Sequence, residues 1–389
     1  MRTLLALLAL VFTVHAADSG PWDIAALRQP PHADWGARDG LVQEVWYAGE
    51  PLAGKPTRVF AYLARPEGAG PFPAMVLVHG GGGEAFRAWA GHWAKRGYVA
   101  LAMDTAGHGP GKARLPDGGP GQDDGVKFRA FTDADARDMW TYHAVAAVLR
   151  GHSLLASLPE VDRARIGITG ISWGGYLTCI VAGIDDRLKV AVPVYGCGFL
   201  GDNSCWVAPQ FDKMPSEQRA HWLRLWDPSR YLAGVGCPIL FLNGTNDFAY
   251  PLDSYRKSYS LVRPGLRHVC IRHEMKHGHI WTFGEVDRFV DSVLKKGALP
   301  PRFATPVIAD GVLRAAVAGG DVVKAELHFT NDQGPWQKRK WQIVTAAWSE
   351  GAASAPIPEQ RPFIGYLSVT DATGLEATSE HVELSAPIP

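Results

Sequence analysis

Excess charge of either sign is missing from this chain: 39 Lys and Arg stand against 39 Asp and Glu in 389 residues, and only 20% of residues are charged. No run of like charge exceeds a few residues. A broad nucleic-acid surface needs clustered Lys and Arg and is therefore excluded. Cysteine is scarce and odd in number, and Cys179, Cys197, Cys205, Cys237 and Cys270 follow no metal-ligand spacing such as CxxC. Past the N-terminus no apolar run reaches about 18 residues, so no membrane-spanning helix is expected. Internal repeats and low-complexity blocks are absent too. What the chain does have is 47% hydrophobic residues, enough for a sizeable core, which excludes disorder as its main state. Its length suits one large domain or two ordinary ones.

Residues 1–16 read as a cleavable export signal. Arg2 is the positive start, 4–14 is an apolar run of signal-peptide length, and Val14-His15-Ala16 carries small residues at the cleavage spacing. A secreted or periplasmic protein is expected, and its mature charge balance would be 38 against 39. Export permits disulfides, and Cys197 with Cys205 is the one pair close in sequence. The other cysteines sit in apolar runs and read as buried thiols.

From 74 to 272, short apolar runs alternate with amphipathic stretches. Strands are expected at 74–78, 98–103, 166–169, 190–195, 238–243 and 268–272, with helices at 85–96 and 133–155 and a Gly, Pro and Asp-rich surface loop at 107–125. Strands apolar throughout and separated by helices indicate a mostly parallel sheet covered on both faces. Runs 41–47 and 58–63 add antiparallel edge strands. Near Leu299-Pro300-Pro301 the pattern changes to period-two runs at 322–329, 341–347 and 363–370, bounded by turn residues. The expected organisation is therefore a catalytic α/β domain at 17–298 and a small all-β, sandwich-like domain at 299–389.

Chemistry concentrates at strand ends. Gly170-Ile171-Ser172-Trp173-Gly174 fits GxSxG between a predicted strand and a predicted helix. A nucleophilic serine on such a crowded turn needs small neighbours, and the turn aims the helix N-terminus at the reacting group. His79-Gly80-Gly81-Gly82-Gly83 follows an earlier strand. An acyl-transfer site needs two N–H donors for an oxyanion, and the Trp173 N–H with that of Gly81 or Gly82 would supply them. A phosphate-cradling loop is disfavoured, since no Lys-Ser/Thr pair follows and there is no GxGxxG.

Asp247 lies just past the 238–243 strand, where a loop carboxylate can reach a histidine, and His277 follows the 268–272 strand. Ser172, Asp247 and His277 thus occur in the order nucleophile, acid, base. His279 competes with His277 as base, and Asp253 competes with Asp247 but falls inside a helix pattern. A metal shared by His268, His273, His277 and His279 is disfavoured, because alternation sends His268 and His273 to opposite faces. His79 is expected to buttress the glycine loop. His143 and His152, on a helical stretch, read as packed or surface residues. Tyr195, Trp206, Phe248 and Trp281 are candidates for the substrate pocket, with ordinary packing as the competing reading of each.

The segments VLVHGGGG, GITGISWGGYLTCIVAG, PVYGCGFL, NGTNDFAYP and MKHGH resemble the acetylxylan-esterase and dienelactone-hydrolase-like branch of the α/β-hydrolases, and prolyl-oligopeptidase catalytic domains are similar as well. The resemblance covers about residues 40–297. It implies an α/β-hydrolase fold, Ser172, Asp247 and His277 as a triad, and Trp173 with Gly80, Gly81 and Gly82 around the oxyanion. Ser172 occupies the position of the dienelactone hydrolases' Cys nucleophile. The tail, with GPWQKRKW, resembles the β-rich C-terminal region of PhoPQ-activated pathogenicity-related proteins. The expected activity is deacylation of short-chain, chiefly acetyl, esters on plant polysaccharide, with no cofactor or metal. A prolyl-oligopeptidase-type peptidase is the second reading, although no adjacent Glu pair is present and Glu217 stands alone in its insert. A non-catalytic carbohydrate binder is the third. Zero net charge fits a neutral substrate.

Overall fold

The computed structural model describes residues 19–385, so the export-signal reading of residues 1–16 lies outside the described residues. A nine-stranded sheet organises the chain, formed by β1 (Ala33–Asp39), β2 (Val42–Ala48), β3 (Arg58–Ala64), β4 (Phe72–Val78), β5 (Val99–Met103), β6 (Val161–Ile171), β7 (Val190–Val194), β8 (Ile239–Gly244) and β9 (Arg267–Arg272). Their order is β1-β2-β3-β5-β4-β6-β7-β8-β9. The links from β1 through β3 to β5 are antiparallel and all later ones are parallel.

Central strands are buried on both faces, and alternation decides which side chain goes where. Val76 and Val78 of β4 pack with helices Trp140–Ser157 and Trp173–Ile184, while Met75 and Leu77 pack with helices Arg87–Lys95 and Gly284–Leu294 on the other side. The chain runs from β4 to β5 on one side and then crosses to β6 on the other. The carboxyl ends of β4 and β6 therefore open beside each other at a topological switch point, where open α/β sheets bind ligands. This is the α/β-hydrolase arrangement.

The expected helix at 133–155 starts later, at Trp140. Asp135 Oδ1 accepts from Thr132 Oγ1 at 2.7 Å in a preceding turn, and Met139 is extended (φ −77°, ψ 146°). The helix is buried nearly all round, His143 and His152 included, and His152 Nδ1 lies 2.8 Å from Asp185 Oδ2.

C-terminal to residue 300 the chain builds two five-stranded antiparallel sheets. One contains β10 (Arg302–Phe303), β11 (Val307–Ala309), β12 (Val312–Ala318), β15 (Ala347–Ser349) and β16 (Ala352–Pro356). The other contains β13 (Val322–Thr330), β14 (Gln342–Thr345), β17 (Phe363–Asp371), β18 (Glu376–Thr378) and β19 (Val382–Leu384). Leu313, Ala315, Leu327, Phe363 and Leu367 form a shared core of their own between them. The single strand expected at 341–347 is split: β14 pairs with β13 and β15 with β16, so the chain changes sheet at buried Ala346.

These sheets dock on the β9 edge. Ile271 N–H donates to Thr378 Oγ1 at 3.0 Å, Arg267 pairs with Glu380 at 2.5 Å, and Arg288 pairs with Asp371. Trp336, Trp341, Ile364 and Tyr366 join the main core directly. All five cysteines are free thiols, so Cys197 and Cys205 are not bridged. No helix among the described residues is long and apolar enough to cross a membrane.

A cavity of about 500 Å³ remains at this junction, with Glu376 in its wall. Burial pushes the Glu376 carboxyl up to about 7 against the opposing pull of Arg272, with Glu285 and Glu326 adding to the rise. Between the ordinary value of 4.5 and about 7, the folded chain thus holds a proton that the unfolded chain has released. Stability is lost as pH rises through that window. Glu376→Gln is therefore expected to raise Tm at pH 8 by about 2–4 °C relative to the native chain, and to change it little at pH 5. Thermal unfolding of both proteins at the two pH values checks this.

Candidate active site

Ser172 joins β6 to the helix Trp173–Ile184 with φ 56° and ψ −119°, in the left-handed region that a residue with a Cβ normally avoids. The turn is held by its own N–H, which donates to Val194 O at 2.9 Å. It closes only because its neighbours lack side chains: a Cβ on Gly170 would lie 2.2 Å from Gly174 O, and one on Gly174 would lie 2.0 Å from Val78 O. The geometry expected of GxSxG is present.

Asp247 follows β8 and is buried. Its Oδ1 accepts the N–H groups of Ala249 at 2.9 Å and Tyr250 at 2.7 Å, which leaves Oδ2 directed at His277 Nδ1, 2.6 Å away. His277 Nε2 is 2.9 Å from Ser172 Oγ. The three residues are brought together from three strand ends in one hydrogen-bonded line. Asp253 lies in the helix Leu252–Ser260 and binds Asn203 instead. The His279 ring packs on Phe86, 5.1 Å between centroids, and reaches the glycine loop rather than Ser172.

That loop lies across the serine turn. A Cβ on Gly80 would lie 2.9 Å from Ser172 Cβ, and one on Gly81 would lie 2.9 Å from Trp173 Cδ1. Gly82 turns outward (φ +66°), and its carbonyl accepts from Lys112 Nζ at 2.7 Å. Buried His79 braces the loop as expected: Nδ1–H donates to Gly80 O at 2.7 Å while Nε2 accepts the Thr105 N–H at 2.9 Å, which fixes one neutral tautomer. Burial lowers its pKa, consistent with a ring that stays neutral.

The aromatic candidates separate. Phe248 is 56% exposed with its ring 4.7 Å from that of His277, so it opens on the site. Tyr195 is fully buried beneath His277, rings 4.3 Å apart, and its hydroxyl donates to Gly278 O. It holds the histidine loop from below, and burial raises its pKa. Trp206 is buried against Trp173 at 4.5 Å. Trp281 stacks on Phe86 at 4.7 Å, beside the glycine loop. His268 packs on Phe289, whereas His273 faces His328, so the histidine cluster does not converge.

Two features escaped sequence reasoning. Lys127 is buried with Nζ 4.0 Å from the Trp173 ring centroid and 2.9 Å from Asp124. Its only sequence signal is the acidic pair Asp123-Asp124 upstream. The second is the loop 331–341, whose approach to Asp247 depends on a contact across 90 residues of chain: Asn246 Nδ2 donates to Arg339 O at 2.8 Å.

Fold and family match together place the chain among the α/β-hydrolases. Residues 34–231, half of the chain, match the acetyl xylan esterase (AXE1) family, and the chain belongs to that family. The match ends before β8, so Asp247, His277 and the C-terminal sheets lie outside it. The acetyl esterase Axe7A of Xylanibacter ruminicola is 24% identical over 216 residues, covering 50% of this chain and 46% of that protein. The uncharacterized peptidase YuxL of Bacillus subtilis is 26% identical over 242 residues, 57% of this chain and 33% of its own length. The chain thus spans half or less of the length of these curated relatives. The acetyl xylan esterase of Paenibacillus sp. R4 superposes with a TM-score of 0.58 at 23% identity, covering 70% of this chain and 92% of that one, a likeness of fold.

Proposed function

We propose that this protein is an exported esterase that removes short acyl groups, chiefly acetyl, from carbohydrate. In this reading Ser172 is the nucleophile, His277 the base and Asp247 the residue that orients it. The observation that carries it is the unbroken line Asp247 Oδ2, His277, Ser172 Oγ, with steps of 2.6 and 2.9 Å. Ser172 Oγ attacks the ester carbonyl as its proton passes to His277 Nε2. The Trp173 N–H, with that of Gly81 or Gly82 from the glycine loop lying across the serine turn, stabilises the oxyanion. Collapse of the intermediate breaks the ester C–O bond, and His277 returns the proton to the departing alcohol. Water, deprotonated by the same imidazole, then releases the carboxylic acid and restores Ser172.

The acetyl and carbohydrate parts of the reading draw on the family and on Axe7A. Export draws on the pattern of residues 1–16. The separate core between the C-terminal sheets supports a catalytic domain at 17–298 and a β domain at 299–389. The test is a substrate panel: acetylated xylo-oligosaccharides, aryl esters of graded acyl length, feruloyl esters and dipeptide amides. Acetyl esters are expected to give the highest kcat/KM, falling as the acyl chain lengthens. A preference for dipeptide amides would overturn the esterase reading in favour of a peptidase.

A further inference from the structure

We propose that the cleft between His277 and the loop 331–341 is a subsite for the carboxylate of an acidic sugar, so that this enzyme acts best on acetyl groups carried near a uronic acid residue. The inference rests on the esterase reading above and adds a substrate class to it. The cleft measures about 670 Å³, within the range that holds a multi-ring ligand. One wall is Asp247, Phe248 and His277, and the facing wall is Gln337, Lys338, Arg339 and Lys340.

The facing wall is held in place rather than loose. Trp336 and Trp341 are buried at either end of the basic run, and Asn246 Nδ2 binds the Arg339 carbonyl at 2.8 Å. Arg339 itself is structural. Its guanidinium lies 3.7 Å from the Trp336 ring centroid, its Nε–H donates to Gly334 O at 2.9 Å, and Asp253, Glu383 and Asp332 face its charge. Lys338 and Lys340 flank it and are exposed, and Lys276 stands next to His277. None of these three lysines has a carboxylate within 4.0 Å among the described residues.

Of the carboxylates lining the cleft, Asp247 is bonded to His277, and Glu274 is exposed and 3.9 Å from His273. Lys276, Lys338 and Lys340 thus bring three ammonium groups to the cleft against exposed Glu274, while Asp332, which accepts the Lys340 N–H at 2.7 Å, faces the Arg339 charge. Zero net charge therefore does not describe this site. Phe248, 56% exposed beside His277, offers the flat apolar face on which a sugar ring rests while its carboxylate meets the lysines.

The test compares hydrolysis of acetylated xylotetraose with that of the same oligosaccharide bearing one glucuronic acid branch. At about 50 mM salt the acidic substrate is expected to show about tenfold higher kcat/KM, mostly through KM, and to lose that advantage at about 0.5 M salt. K338Q/K340Q should abolish the preference and its salt dependence, whereas K338R/K340R should keep both. Thermal unfolding establishes that each variant is folded. Equal kcat/KM for the two substrates, or a preference that survives K338Q/K340Q, would overturn the subsite while Ser172-dependent turnover left the esterase reading standing. No Ser172-dependent turnover of either substrate would overturn both.

Discussion

Ser172→Ala is expected to lower kcat for 4-nitrophenyl acetate by about 10⁴-fold or more, with Tm little changed. The size follows from the role proposed for the hydroxyl: with it gone no acyl-enzyme could form, and only substrate binding and oxyanion stabilisation would remain to favour direct attack by water. The fold should tolerate the change. The Ser172 hydroxyl bonds His277 at a partly exposed position, and the turn is held by the backbone bond to Val194 O and by the small residues Gly170 and Gly174. Alanine keeps the Cβ already accommodated at φ 56°. Turnover within tenfold of the native enzyme would remove Ser172 from the mechanism.

Asp247→Asn should cost nearly as much, about 10⁴-fold in kcat, although it changes one atom. Asp247 Oδ1 is committed to the N–H groups of Ala249 and Tyr250, so the asparagine oxygen must take that place. The amide NH₂ then faces His277 Nδ1, which must become the acceptor. The ring proton moves to Nε2, and Nε2 can no longer take the Ser172 proton across the 2.9 Å contact. Binding should survive, so the loss falls on kcat rather than KM. A variant that keeps kcat within tenfold would mean that the carboxylate does not set the tautomer.

What could be read in advance follows from the range of the interactions involved. The serine turn, the glycine loop and the acid–histidine spacing are local patterns fastened to strand ends, and the sheet sets Asp247, His277 and Ser172 within hydrogen-bond distance of one another. Strands made of Val, Ile and Leu were legible because burial on both faces leaves a continuous apolar run. By contrast β12 (VLRAAVA) and β16 (AASAP) are Ala-rich, and pairing rather than propensity makes them strands. Tyr195 was ambiguous because an aromatic at a strand end suits a pocket wall or a core equally well. Only the folded loop beneath His277 settles it. The basic run at 338–340 is legible only as part of the GPWQKRKW tail motif, since its place beside Asp247 shows only once Asn246 reaches across to it.

The central claim, that Ser172 forms the acyl-enzyme, is tested most directly by covalent labelling. Incubation with a fluorophosphonate and peptide mapping by mass spectrometry should place one phosphonyl group per chain on Ser172, with loss of esterase activity in step with labelling. Stoichiometric inactivation with the label on another residue would contradict the account.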